Sequence, residues 1–208
     1  MEGSAEAAKQ LGITACLVPY VAEHPEYDYF ETLDSNEALI NHLYQHTEGR
    51  IQIWVGLEHL FYAVPNALTR IGDMCRDYLV GFHKHSNESR FDVEQTLERY
   101  QIRPIQALEK IDLLNAPKAL LALCVWANHS EIALMAERSI GMAYNPISNM
   151  KMASGAAPVV AMLKAGVAVG LGTDGEKENN NLDMFEEMKV SSLLAKFSNL
   201  DAAALDAW

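Results

Sequence analysis

Two clusters in this chain carry side chains of the kinds that bind metal ions or move protons. One is His83-Lys-His85-Ser-Asn-Glu88, where an imidazole and a carboxylate stand three positions apart at the close of a strand-like run. The other is Asp174 in Leu171-Gly-Thr-Asp-Gly175, again directly after an apolar, β-branched run. Imidazole and carboxylate groups suit zinc, iron and other divalent ions alike, and both serve as general acids or bases. Each cluster alone also has an ordinary reading, as strand-end histidines at a surface or as an Asp-Gly turn. His59, in Gly56-Leu-Glu-His-Leu-Phe-Tyr62, follows a third strand-like run and could equally pack against Leu60 and Phe61. His42 and His46 have the i,i+4 spacing of a helical zinc pair, but Leu43 follows the first, so the Glu that acts as base in such helices is absent.

The elements that must position these groups are legible as six alternations of a short apolar run with a longer segment of helical period, the pattern of βα units around a parallel sheet. The strands are expected at 13–18, 51–56, 80–85, 119–125, 140–144 and 167–172, and the helices at 35–46, 65–78, 89–100, 130–138, 157–165 and 182–197. A short extra helix is expected from Arg103, and the acidic N-terminus also reads as a helix. Asp34 or Ser35 is expected to cap the helix at 35, and Pro65 suits a first helical turn. In a barrel of such units, residues just after a strand gather at the C-terminal mouth, where active sites are built.

The run from 142 to 183 contains Asn145-Pro-Ile-Ser-Asn149, Gly172-Thr-Asp-Gly175 and Asn179-Asn-Asn-Leu-Asp183. It resembles the last third of an amidohydrolase barrel of the aminohydrolase branch, whose members include deaminases of S-adenosylhomocysteine, methylthioadenosine and guanine, and triazine hydrolases. The resemblance implies an incomplete (β/α)8 barrel, strands three to eight, without the first two strands or the C-terminal β-sandwich. It implies His85 and Asp174 as metal ligands, Glu88 as the acid that protonates a departing nitrogen, Asp174 also as base, and His59 as a substrate contact. The cofactor implied is one divalent ion, zinc first and iron second. The reaction implied is deamination of a purine-like or triazine-like amine by metal-activated hydroxide.

The same resemblance shows where the pattern breaks. Leu123, in Ala122-Leu-Cys-Val-Trp126, stands where the family has a histidine, and Tyr144 stands where it has another. No His-x-His pair follows a first strand, so metal binding is expected to be weak or lost. The alternative is an impaired remnant that binds a small molecule or a partner chain.

A chain of 208 residues, half of them apolar, can bury one sizeable core, and the expectation is a single partial-barrel domain over 1–208. The net charge of −12 argues against nucleic acid or an anionic membrane as a partner. Cys16, Cys75 and Cys124 lack disulfide or zinc spacing, which suits the cytoplasm. A second copy covering open sheet edges is a further expectation.

Overall fold

The computed structural model describes residues 2–24, 26, 31–44 and 49–205. The chain forms two compact units, one of Met1–Lys84 with Leu108–Ala119 and one of His85–Ala107 with Leu120–Trp208.

The first unit holds α1 (Glu2–Leu11), β1 (Ala15–Leu17), β2 (Tyr20–Val21), α2 (Leu33–Tyr44), β3 (Ile51–Ile53), β4 (Val55–Leu57), α3 (Pro65–Asp77) and the start of β5 (Phe82–Ser86). Its strands pair in parallel, with Ala15 opposite Ile51, Tyr20 opposite Gly56 and Val55 opposite Phe82. The strand expected at 13–18 is the shorter β1, followed beyond Pro19 by β2, and the one expected at 51–56 is divided into β3 and β4. Pro19 lacks the N–H needed to continue a ladder. At Trp54 the chain changes partners: its N–H donates to Leu17 O at 3.0 Å, and the next N–H, of Val55, donates to Gly81 O at 3.0 Å. β4 is buried along its whole length, as a strand covered on both faces must be. Helix α3 buries Ala67, Leu68, Ile71, Met74 and Cys75, an apolar stripe of helical period, behind Pro65 in its first turn. The cap of α2 is Thr32, whose Oγ1 accepts from Ser35 N at 3.1 Å, rather than Asp34 or Ser35. Asp34 instead pairs with Arg70 at 2.6 Å. The expected end of this helix, with His46, lies outside the described residues.

The second unit contains the end of β5, α4 (Arg90–Tyr100), the first part of α5 (Pro104–Lys110), nearly all of β6 (Ala119–Leu123), α6 (His129–Glu137), β7 (Gly141–Tyr144), α7 (Pro146–Lys151), α8 (Val159–Lys164), β8 (Val169–Leu171), α9 (Glu176–Asn179) and α10 (Met184–Asn199). β6 pairs with β7 and β7 with β8, both in parallel, with Leu120 opposite Gly141 and Met142 opposite Val169. Among the described residues β8 is an edge strand. Side-chain caps begin three of the helices: Ser89 accepts from Asp92 N, Asn128 from Glu131 N, and Asp183 from Phe185 N. Helix α10 is apolar on the outside, with Phe185, Met188, Leu193, Phe197 and Leu200 just beyond it all exposed, while Glu187, Ser191 and Ala195 are buried. The alternating parallel α/β order is the one expected from the sequence. No helix among the described residues is long and apolar enough to cross a membrane.

Candidate functional site

β5 alternates buried Phe82, Lys84 and Ser86 with half-buried His83 and His85. His83 stacks on Tyr20 in the first unit, with ring centroids 5.9 Å apart. Lys84 is wholly buried, an amine-bearing side chain in a strand interior that sequence patterning did not single out. The chain then turns at Asn87, where φ is +53°, and presents half-buried Glu88. The Glu88 N–H donates to Asp92 Oδ2 at 3.3 Å, which ties the turn to the first turn of α4.

The end of β6 lies beside this turn. Cys124 N donates to Ser86 O at 3.0 Å and Trp126 N to Asn87 O at 2.8 Å. Cys124 N also bonds Ala122 O at 3.0 Å across Leu123, whose φ is +72°, so Leu123 is the centre of a γ-turn of the rarer, strained kind. Strain of this sort concentrates at functional positions. Leu123 is buried, 2% exposed, and its side chain offers no donor or acceptor to a substrate or ion.

At the end of β8, Asp174 is half-buried with φ of +64°. Its Oδ2 accepts from Ser148 Oγ at 2.6 Å and its Oδ1 from Gly175 N at 2.8 Å. The carboxylate is thereby locked to the segment after β7. The side chains of Asn145 and Asn149 do not hold that segment. Both side-chain atoms of Asn149, and Oδ1 of Asn145, are buried without a hydrogen-bond partner among the described residues. The backbone does the holding, with Asn149 N bonded to Asn145 O and Ser154 N to Asn149 O, each at 2.9 Å. The Tyr144 hydroxyl is likewise buried without a partner, and burial, with the Glu187 charge adding, pushes its phenol up to about 12.

Glu187 is wholly buried and accepts from Ile147 N at 3.3 Å and Asn179 Nδ2 at 2.5 Å. Burial raises its carboxyl above the ordinary range; the two hydrogen bonds oppose the rise, and the Glu186 and Asp174 charges add to it. The folded chain therefore holds this proton more tightly than the unfolded chain does. Its contribution to stability is largest at the acidic end and declines as pH rises from the ordinary carboxylate pKa through the raised one. Urea midpoints measured between about pH 5 and 7 should fall less with pH in Glu187→Gln than in the parent chain; parallel slopes would mean Glu187 is ionised in both states.

His59 lies in the first unit, stacked on Phe61 at 4.9 Å and edge-on to Tyr62 at 5.6 Å, before a turn of 3₁₀ helix at Leu60–Tyr62. These contacts are those of a packed imidazole. His85, Glu88 and Asp174 belong to the second unit. The donor set does not fit a metal centre. Among the described residues no three His, Cys, Asp or Glu side chains are grouped to hold an ion. Catalytic zinc takes three protein ligands.

A parallel α/β chain with a carboxylate locked after its last strand and a His-x-x-Glu turn after an earlier one is built like the hydrolases of the (β/α)8 class. The chain belongs to the amidohydrolase family, whose pattern matches residues 1–207. It is 36% identical to a 5-methylthioadenosine/S-adenosylhomocysteine deaminase of Syntrophomonas wolfei, over 100% of this chain and 48% of that protein. It is 41% identical to the deaminase of the same name from Halothermothrix orenii, over 76% of this chain and 36% of the relative. Among solved structures it is similar to a zinc-bound adenosine deaminase from Xanthomonas campestris, with a TM-score of 0.88 and 28% identity, over 98% of this chain and 46% of that one. The chain thus spans about half the length of the relatives it matches.

Proposed function

We propose that this chain carries the proton-transfer part of a hydrolytic deaminase acting on a small heterocyclic, purine-like amine. The observation that carries the reading is Asp174, fixed by Ser148 and Gly175 at the end of β8, in the same unit as the Glu88 turn. Replacing an exocyclic amine by oxygen requires that a water lose a proton and that the nitrogen gain one before it leaves. Asp174 is the acceptor in this scheme and Glu88 the donor. The names of the deaminase relatives support the substrate class. Because the donor set falls short of a metal centre, no step is assigned to an ion held by this chain. Zinc or iron would need imidazoles from outside it.

A second reading, a remnant that binds but does not turn over, is favoured by Leu123 buried in the strained turn after β6. Ammonia release from methylthioadenosine, together with binding of the same nucleoside, separates the two. Deamination lost by about 100-fold or more in Glu88→Gln, with binding kept, supports the enzyme. Equal release by parent, Glu88→Gln and Asp174→Asn overturns the role given to these residues. Binding without release in the parent supports the remnant. Metal analysis of the desalted chain should find zinc and iron well below one equivalent, and near-stoichiometric metal would show ligands beyond His85 and Asp174.

A further inference from the structure

Glu131 is wholly buried and accepts from donors on three separate segments of the second unit. Asn87 Nδ2 reaches both its oxygens, at 3.0 and 3.1 Å, from the turn that presents Glu88. Arg103 Nε at 2.8 Å and Ile105 N at 3.1 Å come from the start of α5. Asn128 N, at 3.1 Å, comes from the loop after β6. The residues gathered this way are themselves cross-tied. Arg103 Nη2 donates to Trp126 O at 2.5 Å, Arg90 lies over the Trp126 ring at 4.7 Å, and Trp126 Nε1 donates to Ser154 O at 2.8 Å. A residue needed only to cap α6 would require no more than its bond to Asn128 N, the second half of a capping box.

The geometry points to Glu131 as a positioning residue that acts through Asn87 to hold the turn carrying His85 and Glu88. Asn87 is the side chain in that turn seen to bond it, and at φ of +53° the turn adopts a conformation that non-glycine residues rarely keep without support. Charge-assisted hydrogen bonds to a buried carboxylate supply that support, because they are stronger than neutral ones and shorten the list of alternative conformations. This inference rests on the reading of Glu88 as the proton donor, but its test needs no turnover.

Amide hydrogen exchange on the intact chain distinguishes positioning from capping. Asn87→Gly removes the two bonds to Glu131 while suiting the positive φ, and it leaves Glu131 with Arg103, Ile105 N and Asn128 N. Exchange at 86–89 should rise about tenfold or more in this variant, with 141–171 unchanged. In Glu131→Gln the same rise at 86–89 should accompany faster exchange at 128–132. Protection at 86–89 equal to the parent in Asn87→Gly overturns the proposal and leaves Glu131 a helix cap. Should Glu131→Gln fail to fold, Asn87→Gly alone decides. A failed deamination assay with the exchange result intact would remove the function assigned to Glu88 but not the role of Glu131.

Discussion

Glu131→Ala is expected to lower the stability of the chain by about 3–5 kcal/mol, the usual cost of breaking a buried ion pair by removing one partner. The carboxylate has no exposed surface and Arg103 is only one-quarter exposed, so the guanidinium would stay largely out of water without its counter-charge. The N–H groups of Ile105 and Asn128 would lose their acceptor at the same time. For a chain of this size the loss corresponds to a fall in melting temperature of roughly 10 °C. Urea denaturation followed by circular dichroism measures it. A loss below about 1 kcal/mol would place the pair in the class of weak surface bridges and contradict its burial.

Gly56→Ala should destabilise the first unit by about 2–3 kcal/mol. A Cβ at this point in β4 would stand 2.6 Å from Val18 Cγ1, 2.7 Å from Pro19 O and 2.9 Å from Tyr20 Cδ1. Two of these are side-chain atoms that can turn away, but the carbonyl of Pro19 moves only if the backbone joining β1 to β2 moves. The partner substitution Val18→Ala should therefore restore only a fraction of the loss, and full recovery in the double variant would show that the side chain, not the carbonyl, sets the spacing. The lower conformational entropy of unfolded alanine returns less than about 1 kcal/mol of the cost.

The strand and helix order was readable because apolar runs and helical stripes repeat at periods that few other arrangements produce, as in α3 with its Ala67, Ile71 and Cys75. The Asp174 turn was readable from its motif alone. Helices α7 and α9 were not, since six and four residues carry too little periodicity to separate from a loop. The γ-turn at Leu123 runs against the preference of leucine, so only the surrounding structure imposes it. Glu131 did carry a local signal, the Asn128-His-Ser-Glu131 spacing of a capping box. What that spacing conceals is the arrival of Asn87, Arg103 and Ile105, which come from far along the chain. His59 illustrates the opposite limit: its stacking on Phe61 follows from its neighbours in sequence, whereas a substrate contact would not.

The interleaving of the two units sets an order on biogenesis. The first unit ends with residues 108–119, which leave the ribosome only after 85–107, a segment belonging to the other unit. An N-terminal stretch ending at Lys84 therefore lacks the strap that completes its own unit, and during synthesis its exposed apolar surface must wait for residues made later. Contacts of such wide sequence separation also slow folding, because the connecting chain has to be closed before they form. A protease nick between 85 and 107 cuts the second unit in two and divides the first from its closing segment, so the chain cannot be taken apart into two contiguous halves.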